Sequence, residues 1–156
     1  MEIIYLAFAK PDDAYINEGC KKYQQKIPHY IKFQYQILPA LKNNKSLSQE
    51  QQKQKEGEKI LAQIQNSDYV VLLDERGHEK TSVEFSKFIE KQSITGLKRL
   101  LFISGGPYGF SSEVYERANY KLSLSKMTFS HQMVQLFFLE QLYRACSISK
   151  NEPYHH

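Results

Sequence analysis

Three short apolar runs constrain this chain more than anything else in it: EIIYLAF at 2–8, YVVLLDE at 69–75 and KRLLFIS at 98–104. Runs of this length, rich in branched and aromatic side chains, read as buried strands. Each is followed by a turn and then by a stretch with helical spacing. Parallel neighbours need a crossover connection and a helix supplies one, so the alternation predicts an α/β fold with a mostly parallel sheet flanked by helices.

The remaining segments fill in that plan. Pro11 stops the first run, and Asp12 or Asp13 is placed to cap a helix over AYINEGCKKYQQKI, with Pro28 just past its end. IKFQYQIL at 31–38 alternates apolar and polar residues, the period of a strand with one wet face. The polar segment 42–59 reads as a loop to about Ser46 and then a long, mostly exposed helix. Its Lys and Gln residues form either a solvated face or a surface offered to phosphates. RGHEKTS reads as a turn, with Ser82 capping the helix VEFSKFIEK, and Ser111 or Ser112 caps SEVYERA. YKLSL at 120–124 is a short strand, SKMTFS a loop and HQMVQLFFLEQLYRACSI the final helix. No repeat or second boundary breaks residues 1–156, which are expected to form one domain.

The final helix is apolar around its whole circumference, with Met133, Phe137, Phe138, Leu142 and Cys146 on different sides. Such a helix needs burial on every side. Either the core encloses it, or one side packs on the sheet and a second copy of the chain covers the other.

Composition excludes several classes. Cys20 and Cys146 are far apart and form no Cys-x-x-Cys pair, as expected of reduced thiols. The N-terminus lacks the features of a signal peptide, and no apolar run approaches the roughly 20 residues that span a bilayer. A cytoplasmic protein with no membrane contact is expected. The net charge of +4 fits an anionic partner such as RNA, and equally a plain lysine-rich surface.

Ligands of open parallel sheets bind beyond the carboxyl ends of the strands. Three sequences are expected to converge there: LLDERG, SGGPYGF and LSKMTFSHQ. Gly105, Gly106 and Gly109 do not make G-x-G-x-x-G, Pro107 removes an amide proton, and no G-K-[ST] is present, which argues against dinucleotides and triphosphates. A glycine pair lets a nucleoside lie against the backbone, although a plain strand-to-helix turn accounts for it as well. Met127 and Phe129 either wrap an adenine ring or pack before the helix, and Ser125 and Thr128 offer hydroxyls. Ser104, Asp74 and His131 would suit a serine hydrolase, but Ser104 lacks the G-x-S-x-G elbow. His155 and His156 are adjacent, with no accompanying ligand cluster, so no metal is expected.

Taken jointly, LLDERG, GGPYGF, SLSKMTFSHQM, LEQLYRA and EPYHH, in this order and spacing, resemble the bacterial ribosomal RNA large-subunit methyltransferase H family. These are 23S rRNA (pseudouridine-N3)-methyltransferases of the SPOUT class, and the likeness covers essentially the whole chain, KEGEKIL included. It implies a trefoil-knotted C-terminal part and S-adenosyl-methionine as cofactor. Cofactor contacts would come from Leu73, Gly105, Leu124, Ser125, Lys126, Met127, Thr128 and Phe129. It further implies a homodimer acting on large-subunit rRNA within the assembled ribosome. Ser104 departs from the apolar residue that many relatives carry before the glycine pair.

The resemblance also makes the terminal PYHH native. Tyr154 and His155 would line the target-base pocket, reaching across the dimer interface, with His155 accepting the imide proton. Arg144 would balance charge on the base carbonyls. The competing roles are an ion pair of Arg144 with Glu140 and a site that favours the deprotonated imide without a base. The alternative function is a catalytically silent RNA-binding dimer of the same fold.

Overall fold

A computed structural model describes residues 1–155. Its elements are β1 (Glu2–Phe8), α1 (Ala14–Lys26), β2 (Lys32–Leu38), α2 (Gln49–Leu61), β3 (Tyr69–Glu79), α3 (Ser82–Ile94), β4 (Arg99–Ser104), α4 (Ser112–Arg117), β5 (Tyr120–Ser123) and α5 (His131–Ser149). The strands form a sheet in the order β2-β1-β4-β3-β5, with every pair parallel. The expected α/β class is met.

Both faces of the sheet are covered, which is why its inner strands do not alternate in polarity. Ile3, Tyr5 and Ala7 point to the face carrying Ile16 of α1, Phe85 of α3 and Phe138 of α5. Ile4, Leu6 and Phe8 point the other way, towards Ile60 of α2 and Val114 of α4. No helix among the described residues is long and apolar enough to cross a membrane.

Four local readings change. Thr81, not Ser82, caps α3: its Oγ1 accepts the Glu84 N–H at 3.2 Å, and Glu84 Oε2 accepts the Thr81 N–H at 2.7 Å. That reciprocal pair outcompetes a lone serine. Asp13 stands at the cap of α1 without a side-chain bond; instead the N–H groups of Asp12 and Asp13 donate to Gln132 Oε1 at 2.8 and 3.3 Å. Helix α2 is not mostly exposed, because Gln52, Glu56, Gly57 and Ile60 form a buried face.

The fourth change bears on the site. RGHEKTS is not a turn, since β3 runs on to Glu79. Leu73 pairs with Leu122 of β5, and His78 pairs with Leu122 again, so residues 74–77 are looped out of the ladder. Gly77 permits the return: a Cβ there would lie 2.7–2.8 Å from backbone atoms of Lys121 and Leu122.

Candidate active site

Because β3 lies between β4 and β5, the turns leaving these three strands are neighbours at the carboxyl edge of the sheet. They enclose a cavity of about 480 Å³, within the range of roughly 300–1,000 Å³ usual for small-molecule sites. Leu73 and the bulge residues Asp74, Glu75 and Arg76 form one wall. The loop from Ser104 to Phe110 forms the second, and Leu124, Ser125, Met127, Thr128 and Phe129 the third. Tyr115 of α4, His131 and Val134 of α5 and Lys53 of α2 complete it.

The third wall is tied to the first. Thr128 Oγ1 donates to Glu75 Oε2 at 2.5 Å, joining the loop after β5 to the bulge in β3. Ser123 Oγ donates to the Ser125 carbonyl at 2.8 Å, and Ser125 Oγ accepts the Met127 N–H at 3.0 Å. Phe129 packs edge-on against Phe137 of α5, ring centres 4.9 Å apart. Lys126 behaves differently from its neighbours. Its side chain is 88% exposed and its Nζ lies 3.8 Å from Glu79 Oε1, outside the cavity.

Asp74 accepts two bonds, from Tyr115 Oη at 2.5 Å and from the Arg76 N–H at 2.8 Å. Burial, and then the bond to Asp74, push the Tyr115 phenol well above its ordinary range, so it stays a donor. Ser104 Oγ lies 2.9 Å from Tyr5 Oη in the core. With Ser104 and Asp74 both engaged elsewhere, no serine-hydrolase relay is assembled.

The glycine pair answers to packing from beneath. A Cβ on Gly106 would sit 2.5 Å from Glu56 Oε2, and one on Gly105 would sit 3.2 Å from the Gly109 carbonyl and from the Phe110 ring. Both residues still present backbone to the cavity.

Arg144, Tyr154 and His155 come together at the far end of α5. Arg144 Nη1 is 3.5 Å from His155 Nδ1, and the guanidinium carbon is 4.8 Å from the centre of the Tyr154 ring. Glu140 Oε1 accepts from Arg144 Nη2 at 2.6 Å and from Tyr154 Oη at 3.1 Å. The Glu140–Arg144 ion pair therefore forms within the same cluster, and Glu140 raises the Arg144 pKa further. None of these three residues lines the cavity of its own chain. Arg144 is thirteen residues along α5 from His131, a separation of about 20 Å. His156 lies outside the described residues.

Lys53 and Val134 escape a sequence reading because tertiary packing alone brings α2 and α5 to the cavity. Glu75 lay in view within LLDERG, but its bond to Thr128 spans 53 residues and has no local signal.

Fold and cavity define a class, and the chain belongs to it: the family described as "Predicted SPOUT methyltransferase" matches residues 1–155. Within that class it is 58% identical to the ribosomal RNA large subunit methyltransferase H of Christiangramia forsetii, over 100% of this chain and 99% of the relative. The protein of the same name in Parabacteroides distasonis is 53% identical over the same shares. Among solved structures, a probable methylase family protein from Haemophilus influenzae Rd KW20 superposes with a TM-score of 0.48 at 15% identity, over 96% of this chain and 66% of that one. A likeness so distant does not bear on the site.

Proposed function

We propose that this chain is a methyltransferase that moves a methyl group from S-adenosyl-methionine to N3 of a pseudouridine in large-subunit rRNA, in the cytoplasm and on the assembled ribosome. The observation that carries this is the meeting of three distant turns in one cavity, within a chain of the SPOUT methyltransferase family. The single knotted domain implied by the family resemblance belongs to the same proposal.

The cavity suits the cofactor. Leu73, Leu124, Phe129 and Val134 supply apolar walls, Gly105 and Gly106 supply bare backbone, and Thr128 and Ser125 supply hydroxyls. Asp74 and Glu75 place carboxylates where a cationic ligand gains from them. When bound, the cofactor supplies an activated methyl, so no metal is required.

The chain acts as a homodimer in this reading. Within one chain the Arg144–Tyr154–His155 cluster is remote from the cavity, so the cluster of the partner subunit closes it. Phe137, 36% exposed on the outer side of α5, supplies apolar surface for that pairing. Tyr154 of the partner subunit stacks on the extruded base, since single-stranded RNA is commonly read through aromatic faces. His155 of the partner subunit accepts the imide proton, and Arg144 of the partner subunit steadies charge on the base carbonyls.

Calorimetry with S-adenosyl-methionine and methyl incorporation into ribosomes test the reading. Saturable binding with incorporation into ribosomes, and little into free rRNA, is the expected result. Absence of binding at millimolar cofactor overturns it in favour of the silent RNA-binding dimer.

A further inference from the structure

Beneath the glycine turn lies a buried acid that the proposed chemistry does not use. Glu56 is on the inner face of α2 and only 4% exposed. Its Oε1 accepts from Gln52 Nε2 at 3.1 Å, while its Oε2 is sealed from solvent and has no hydrogen-bond partner among the described residues. Both oxygens press on Gly106, whose Cβ, were there one, would lie 2.5 Å from Oε2 and 2.7 Å from Oε1. Any side chain at 106 would therefore force the Glu56 carboxyl to shift.

The neighbouring residues fix α2 in place. Gly57 seats it on α4 in the same manner, a Cβ there falling 2.3 Å from Ser111 Oγ. Lys53, one turn earlier, lines the cavity itself. Glu56 thus stands between a docked helix and the turn that presents Gly105 and Gly106 to the cavity. An apolar side chain would fill the space without leaving an acceptor unmet. A buried carboxyl kept with unused capacity, and held towards its neutral form by burial against the opposing bond from Gln52 and charge of Lys59, calls for a role.

We propose that Glu56 is a positioning residue for the glycine turn: its carboxyl sets the height of Gly105 and Gly106 over α2 and thereby governs cofactor affinity. The inference rests on the methyltransferase reading, but the contact between carboxyl and turn does not.

The test compares Glu56→Ala with the conservative Glu56→Gln. In Glu56→Ala the dissociation constant of S-adenosyl-homocysteine, measured by calorimetry, rises about tenfold or more, because small displacements in a binding site carry large penalties. KM for S-adenosyl-methionine rises with it, while kcat changes by less than about twofold. Glu56→Gln, which keeps the shape, stays within about threefold of the parent. Amide hydrogen exchange at 105–109, measured without ligand, quickens in Glu56→Ala and not in Glu56→Gln.

A folded Glu56→Ala protein with parental affinity and parental exchange overturns the inference, as does a loss confined to kcat. The exchange measurement separates the two levels: a parent that binds no cofactor, together with a turn loosened by Glu56→Ala, supports the positioning role and overturns the methyltransferase reading. Should Glu56→Ala not fold, Gly106→Ala strains the same contact from the turn. The same rise in KM is then expected, and a parental KM overturns the proposal.

Discussion

Tyr5 Oη and Ser104 Oγ lie 2.9 Å apart in the buried centre of the sheet, joining residues 99 positions apart. Tyr5 stands on β1 and Ser104 ends β4, whose loop enters the cavity. Burial holds the Tyr5 phenol protonated far above its ordinary range, so it needs a partner within the protein. Ser104→Ala strands that hydroxyl and is expected to cost about 1–3 kcal/mol in urea unfolding. Tyr5→Phe combined with Ser104→Ala removes both partners and should recover most of the loss. A loss in the double variant equal to the sum of the two single losses would show that the pair is not coupled.

The Thr128–Glu75 bond at 2.5 Å holds two walls of the cavity together. Thr128→Val keeps the shape and removes the donor. Cofactor affinity is expected to fall about three- to tenfold, the worth of one hydrogen bond. Lys126→Ala serves as the comparison, because that side chain leaves the cavity for Glu79, and its affinity should stay within about twofold. Calorimetry reads both. Equal losses in the two would remove the distinction between them.

Burial pushes the Cys146 thiol up to about 11 and raises Cys20 as well. At pH 8 the native Cys146 is then about one part in a thousand thiolate, so neither cysteine should react with iodoacetamide until the chain unfolds. The sign for stability follows from the same shift. Above the ordinary thiol value of 9.0 the unfolded chain loses this proton while the native one keeps it. Stability from this group is constant below pH 9 and falls as pH rises from there towards 11. Urea midpoints at pH 8 and 10 check the direction.

The sheet was legible because its inner strands are covered on both faces, and the resulting unbroken runs at 2–8, 69–75 and 98–104 are local properties of the chain. Convergence of the three turns followed from parallel topology, and the structure brings Leu73, Gly105 and Thr128 to one cavity. What escaped was set by distant partners. The bulge at 74–77 exists because β5 pairs twice with β3, and nothing within RGHE announces that. The glycine pair left a ligand and a plain turn equally open, and neither reading foresaw that the side-chain space at Gly106 is taken by Glu56, fifty residues earlier in a helix read as mostly exposed. Arg144, Tyr154 and His155 do cluster, but at the opposite end of α5 from the cavity.

That separation yields the sharpest prediction. If each cavity is completed by the tail of the partner subunit, a chain lacking residues 153–156 and a chain with Gly105→Val in the cavity are each inactive, for different reasons. Deleting the tail removes Tyr154 and His155, and methyl transfer is expected to fall at least about a hundredfold, the usual worth of a general base. Mixed and allowed to exchange, the two variants form heterodimers in which one intact cavity meets one intact tail. With random pairing half of the dimers are mixed and each has one complete site, so about a quarter of the parental activity returns. A tail that served its own chain would return none, because neither variant then owns a complete site. Sedimentation of the same mixture fixes the oligomeric state, and a monomer at assay concentration would remove the partner subunit from the mechanism.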